Sequence, residues 1–110
     1  LVLDCRFLRN PYWEPALRGL DGRDPAVVAH IAEDARFAPF LTQVTALVET
    51  LLPAYRDEGK AHLSIAFGCT GGQHRSVAMA EKLAAHLAQD GWQVSKRHRE
   101  IERRGAAGPL

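Results

Sequence analysis

The segment Gly68–Ser76 reads G-C-T-G-G-Q-H-R-S and concentrates the residue types that handle anions. Gly68, Gly71 and Gly72 free the backbone for a tight turn, so several N–H groups can point at one spot. Thr70, Gln73, His74, Arg75 and Ser76 add polar side chains at the entrance of a helix-like run, whose N-terminus carries partial positive charge. Arg75 offers a forked, permanently charged donor matched to phosphate or carboxylate oxygens. The chemistry implied is capture of a negatively charged group.

The segment lacks both the Walker A spacing and the G-x-G-x-x-G turn of dinucleotide sites. It does satisfy C-x-x-G-x-x-R-[ST] through Cys69, Gly72, Arg75 and Ser76. That is the phosphate loop of cysteine-dependent phosphatases, in which a low-pKa thiolate attacks phosphorus. Gly68 stands where those enzymes usually carry His, and only Asp21 and Asp24 offer themselves as a general acid. The plainer reading of Cys69 is a small residue packed beneath the loop.

Further candidates flank this loop. Strand alternation puts Asp4 and Arg6 on one face, where a parallel neighbour would bring Arg6 to the glycine loop as a second cation. Asn10-Pro11-Tyr12-Trp13 reads either as a turn plugging the core edge with aromatics or as a cover for a sugar ring. Ser95–Arg104 sets Lys96, Arg97, Arg99, Arg103 and Arg104 against Glu100 and Glu102, a net +3 in a chain whose total is +1. Such a cluster is either a charged terminal face or a contact for nucleic-acid phosphates. His30, His62 and His86 receive no role.

The elements that must position these residues follow from periodicity. Leu1–Leu8 reads as a strand, with Leu1, Leu3, Cys5 and Phe7 on one side and Val2, Asp4, Arg6 and Leu8 on the other. A loop over Arg9–Asp24 leads to Asp24-Pro25, a helix start that runs to about Ala35. Phe40, Leu41, Val44, Leu47, Val48, Leu51, Leu52 and Tyr55 share one face of a second helix, which Pro53 would kink or trim and Glu58-Gly59 would end. Leu63, Ile65 and Phe67 make a second strand, and His74–Asp90 a helix capped by Gly91. Trp92–Ser95 is expected as a third strand and Arg97–Arg104 as a short basic helix. The order β-α-α-β-α-β-α argues a three-layer α/β fold with a small, mostly parallel sheet.

The 110 residues make one domain over 1–104 with a flexible tail over 105–110. Cys5 and Cys69 form no disulfide framework and match no metal spacing, so a reducing cytoplasm is expected, with no metal and no cofactor. No apolar run approaches the ~18–20 residues of a membrane span. The chain begins at Leu1, inside an apparent strand, and is expected to be a domain of a longer protein.

D-C-R-F-L-R-N-P-Y-W (Asp4–Trp13), G-C-T-G-G-Q-H-R-S-V (Gly68–Val77) and K-R-H-R (Lys96–Arg99) resemble the C-terminal domain of the RapZ/YvcJ family. These are bacterial RNase adapter proteins, also described as P-loop nucleotide-binding proteins. The resemblance implies a fold similar to a phosphofructokinase subdomain, in a homo-oligomeric cytoplasmic protein. It implies binding of a hexosamine phosphate, and of small regulatory RNA that is presented to an endoribonuclease. Thr70, Gly71, Gly72, His74 and Arg75 would hold the phosphosugar with Asp4 and Arg6 helping, and Tyr12, Cys69, Gln73 and Ser76 complete the ligand-binding set. Lys96, Arg97, Arg99, Arg103 and Arg104 would meet RNA. Gln73 stands where a Lys is common, and Tyr12 where the adapter branch has a His. The family's Walker A domain lies outside this chain, so nucleotide hydrolysis is not expected here and no residue is assigned as catalytic. A phosphatase-like loop and an RNA-binding module without a metabolite are the alternatives.

Overall fold

The structure, a computed structural model, describes residues 1–107, with side chains through residue 105. Strand β1 (Val2–Asp4) pairs in parallel with β2 (Ala66–Gly68), with Val2 opposite Ala66 and Asp4 opposite Gly68. A parallel pair needs a long crossover, supplied by helices α1 (Pro15–Arg18), α2 (Pro25–Ala32) and α3 (Phe37–Asp57). After β2 come α4 (Arg75–Gln89) and α5 (Arg99–Ala107). The mixed α/β class and the parallel pairing are those expected from the sequence.

The sheet is smaller than expected, two strands among the described residues. β1 stops at Asp4: the Cys5 amide makes one last bond to the Gly68 carbonyl at 2.7 Å, and the Leu8 amide then closes a turn onto the Cys5 carbonyl at 3.1 Å. Alternation therefore breaks. Leu8 enters the core with Cys5, while Phe7 leaves it and meets the Phe40 ring edge-on at 4.8 Å. Trp92–Ser95 forms no strand either. The Trp92 amide bonds the Leu87 carbonyl at 3.1 Å behind Gly91 (φ +90°), and its ring packs on the α3–α4 cluster.

Asp24 caps α2 by accepting the Ala26 amide at 2.9 Å, with Pro25 in the first turn. The helix ends at Ala32, earlier than expected, because Asp34 accepts the amides of Arg9 and Arg36 and turns the chain into α3. α3 continues through Pro53 to Asp57. It is also long and apolar enough to cross a membrane by length and composition alone, with mean hydropathy 1.2 over 18 residues. Here its inner face packs as a core element instead, Val44 and Val48 meeting Leu83 and Leu87 of α4. The first turns of α4 complete a second cluster, with Ala78 and Met79 against Cys5, Leu8, Val27, Ile31 and Phe37. α4 thus holds both clusters together and fixes the glycine loop in front of it. Gly105–Ala107 of the expected tail belong to α5, and residues 108–110 lie outside the described residues.

Candidate functional site: the strand ends and the glycine loop

Because β1 and β2 are parallel and in register, their C-terminal ends open onto the same place. There Val2, Leu3, Asp4, Arg6, Gly68, Cys69 and Thr70 line an open cavity of about 330 Å³. The guanidinium of Arg6 donates Nε at 2.9 Å and Nη2 at 2.6 Å to Asp4 Oδ2, and the Arg6 amide donates to Oδ1 at 2.9 Å. These donors hold the Asp4 carboxyl down to about 2. Both side chains stay more than half exposed, so the pair is solvent-screened.

The loop behind this cavity turns through Gly71 (φ +80°) and Gly72 (φ +63°), conformations that side chains rarely adopt. Its donors converge on the Cys69 sulfur. The Ser76 hydroxyl lies 3.2 Å from Sγ and the Ser76 amide donates to it at 3.4 Å. Burial pushes the thiol pKa up, but the Ser76 hydroxyl and amide, the Gly72 amide and the Arg75 charge outweigh it, and the pKa falls below its ordinary value. Cys5, fully buried in the adjacent core, is instead pushed up to about 12 by desolvation. Cys69 is therefore more than a filler beneath the loop: its sulfur is half-buried, hydrogen-bonded and at the cavity wall.

Arg75 and Gln73 are placed for structural contacts. Arg75 is only 4% exposed, and its Nη1 donates to the carbonyls of Arg6 at 2.6 Å and Leu8 at 3.1 Å. His74 is 5% exposed, and its Nε2 has no hydrogen-bond partner among the described residues. Gln73 Nε2 donates to the carbonyls of Arg18 at 3.0 Å and Leu20 at 2.7 Å, and its Oε1 accepts from Arg104. Tyr12 sits outside the cavity lining, capped by Asn10 and stacked under Arg18 at 4.8 Å. Val2 and Leu3 are lining residues that a loop-centred reading passes over; the parallel register of β1 is the signal that brings them in.

The basic end is ion-paired within the chain. Lys96 pairs with Glu81, Arg97 with Glu102 at 2.7 Å, Arg103 with Glu100 at 2.5 Å and Arg104 with Glu100 at 3.3 Å. Arg99 makes no ion pair among the described residues and is exposed. Exposed pairs of this kind contribute roughly 0–1 kcal/mol each and exchange partners readily. α5 also leans on the loop, since a Cβ at Gly72 would lie 3.2 Å from Glu100 Cβ.

Fold and site define a small mixed α/β domain built on a strand, glycine loop, helix unit, with a cavity where two parallel strands end. The RapZ C-terminal domain family matches residues 1–102, and the chain belongs to that family. Its relatives include proteins named nucleotide-binding protein. The one from Cereibacter sphaeroides is 67% identical over 107 residues, covering 97% of this chain and 35% of that protein. Those of Ruegeria pomeroyi and Jannaschia sp. are 64% and 60% identical, covering 94% of this chain and 37% and 32% of theirs. The chain thus spans about a third of the length of these curated relatives.

Proposed function

We propose that this is a regulatory domain that takes a phosphorylated small metabolite, of the hexosamine phosphate type, in the cavity at the strand ends. The supporting observation is that cavity of about 330 Å³, where the exposed Arg6–Asp4 clasp faces Thr70 and the loop around Cys69. A doubly charged phosphate competes well with one carboxylate for the Arg6 guanidinium. Asp4, once released, is a ready acceptor for sugar hydroxyls. We infer further that the domain serves a cytoplasmic, homo-oligomeric RNase adapter, in which Lys96, Arg97, Arg99, Arg103 and Arg104 exchange their acidic partners for the phosphates of a small RNA handed to an endoribonuclease; the exposed, exchangeable ion pairs of that end support this reading.

The test is thermal melting with glucosamine phosphate, inorganic phosphate and sulfate. The phosphosugar raises Tm by mass action. Arg6→Ala, an exposed position, abolishes the rise while leaving the unliganded melt nearly unchanged. No rise with any of the three ligands refutes the reading. For RNA, charge removal at Lys96, Arg97 and Arg99 flattens the salt dependence of binding; an unchanged slope removes the basic end from the site.

The activated Cys69 sulfur supports a second reading, a phosphatase-like loop in which the thiolate attacks phosphorus. Its general acid is the obstacle. Asp4 is held ionised by Arg6, Asp21 is hydrogen-bonded to Arg23 and also lowered, and Asp24 caps α2. Hydrolysis of p-nitrophenyl phosphate that Cys69→Ser abolishes would favour this reading; we expect none.

A further inference from the structure

At the C-terminal end of α4, away from the glycine loop, three side chains with metal-ligating atoms meet. His86 and Asp90 stand one helical turn apart on α4, and Glu49 reaches across from α3. His86 Nε2 lies 2.5 Å from Glu49 Oε1 and 3.3 Å from Asp90 Oδ2. One imidazole nitrogen thus faces two carboxylates, and the three ligand atoms all fall within 4.8 Å of one another. A single N–H serves one acceptor well, so a proton satisfies only part of this arrangement. A divalent cation at the centre would contact all three.

We propose that Glu49, His86 and Asp90 form a binding site for a divalent transition-metal ion, with zinc or cobalt as representative occupants. The donor set decides the class. An imidazole nitrogen with two carboxylate oxygens suits borderline ions such as zinc, cobalt, nickel or manganese. A thiolate-preferring ion finds no sulfur here, and the nitrogen disfavours calcium or magnesium. Two carboxylates with a neutral imidazole carry charge −2, which a dication cancels. Metal–ligand bonds of ~2.0–2.2 Å require the donors to open to separations of roughly 3 Å, a shift that exposed side chains make by small rotations.

The scaffold is suited to hold such a site. Val44 and Val48 of α3 pack on Leu83 and Leu87 of α4 directly beneath it, so the two backbones bearing the ligands are fixed relative to each other. Three protein ligands leave open coordination positions. Glu49 and His86 also line a groove of about 540 Å³ between α3 and α4, whose wall includes Thr42, Thr45, Lys82 and Gln89. The Lys82 ammonium on the same wall disfavours a bare cation but complements an anion or hydroxide on the metal's open side. The ion would bridge the crossover helix α3 to the helix that carries the glycine loop.

Cobalt(II) titration of the chain tests the site, because its visible spectrum separates nitrogen and oxygen ligation from thiolate ligation at Cys69. One equivalent binds, giving d–d bands without a thiolate charge-transfer band, and Tm rises with metal concentration. His86→Gln and Glu49→Gln each weaken binding by more than ~10-fold, while Arg6→Ala leaves it unchanged. Circular dichroism checks that both variants fold. Should either fail to fold, the imidazole resonances of His86 in the wild type serve instead, and they shift on addition of zinc. Absence of binding, a thiolate band, equal affinity in both variants and wild type, or unmoved His86 resonances each overturn the proposal.

Discussion

Gly22 is the position at which the loop before α2 is docked onto the start of α4, and its replacement by Ala tests how the glycine loop is held. Gly22 is buried and its amide donates to the Gln73 carbonyl at 2.9 Å. A Cβ there would lie 2.2 Å from the His74 carbonyl oxygen, 2.5 Å from the Ala78 nitrogen and 2.8 Å from Val77 Cβ. The first two atoms are themselves partners, since the Ala78 amide bonds the His74 carbonyl at 2.9 Å in the opening turn of α4. The methyl group therefore wedges into backbone that cannot rotate away, so the loop must lift. Overpacking costs ~1–3 kcal/mol. Losing the Gln73 contact adds ~0.5–1.5 kcal/mol, for a total of about 2–4 kcal/mol. In a domain of this size that lowers Tm by roughly 9–17 °C. Thermal and urea unfolding followed by circular dichroism read the loss. Gly19→Ala is the control, since nothing lies within 4 Å of its Cβ and its φ of −85° suits any residue; its Tm holds or rises slightly. A Gly22→Ala melt within ~2 °C of wild type would refute the packing argument.

Two other outcomes follow from the same site. Arg75→Ala leaves the Arg6 and Leu8 carbonyls without their donor in a buried place, and lowers stability by about 2–4 kcal/mol in urea unfolding before any ligand is added; an unchanged unliganded melt would return Arg75 to the role of a ligand-facing cation. Iodoacetamide labels Cys69 with a rate that rises with pH to a midpoint below that of an ordinary thiol, because its donors stabilise the thiolate, and Ser76→Ala moves that midpoint up. Cys5, fully buried and with its thiol pKa near 12, stays unlabelled in the native chain; equal labelling of both cysteines would contradict the buried packing.

Local signals in the chain translated into structure where one residue type carries one physical job. Asp24-Pro25 starts α2 because a short acceptor and a missing N–H fit the first turn, and Gly91 ends α4 because only glycine takes its positive φ cheaply. The long apolar stripe made α3 equally readable. The third strand was not legible in the same way. Trp92–Ser95 has β-prone residues, yet a strand needs a neighbour with free ladder positions, which no local pattern reports. The Trp92 ring finds burial beside Leu87 instead, with Arg56 5.6 Å above it. The Glu49–His86–Asp90 group was invisible for a related reason, since it depends on two residues 37 positions apart, Glu49 and His86, being brought together by helices that meet side by side.

The anion loop itself shows why residue type outruns residue direction. Gly71 and Gly72 had to make the turn, and they do. The Arg75 guanidinium was read as reaching forward to an anion. Side chains in the first turn of a helix lean back toward its N-terminus, and here that direction leads to the stretch after β1. β1 had been expected to run to Leu8, which would have engaged its carbonyls in a ladder. Because it stops at Asp4, the carbonyls of Arg6 and Leu8 are turned inward and need donors, and buried carbonyls are seldom left without one. Arg75 supplies both bonds. The early end of one strand and the diversion of one arginine are thus a single event. In the proposed site the ligand's cation is therefore Arg6, on the exposed side of that same turn, whose guanidinium shares its residue with a carbonyl that Arg75 holds in place. A variant that frees the Arg6 carbonyl would therefore disturb ligand binding through the position of Arg6, without removing any charge from the cavity.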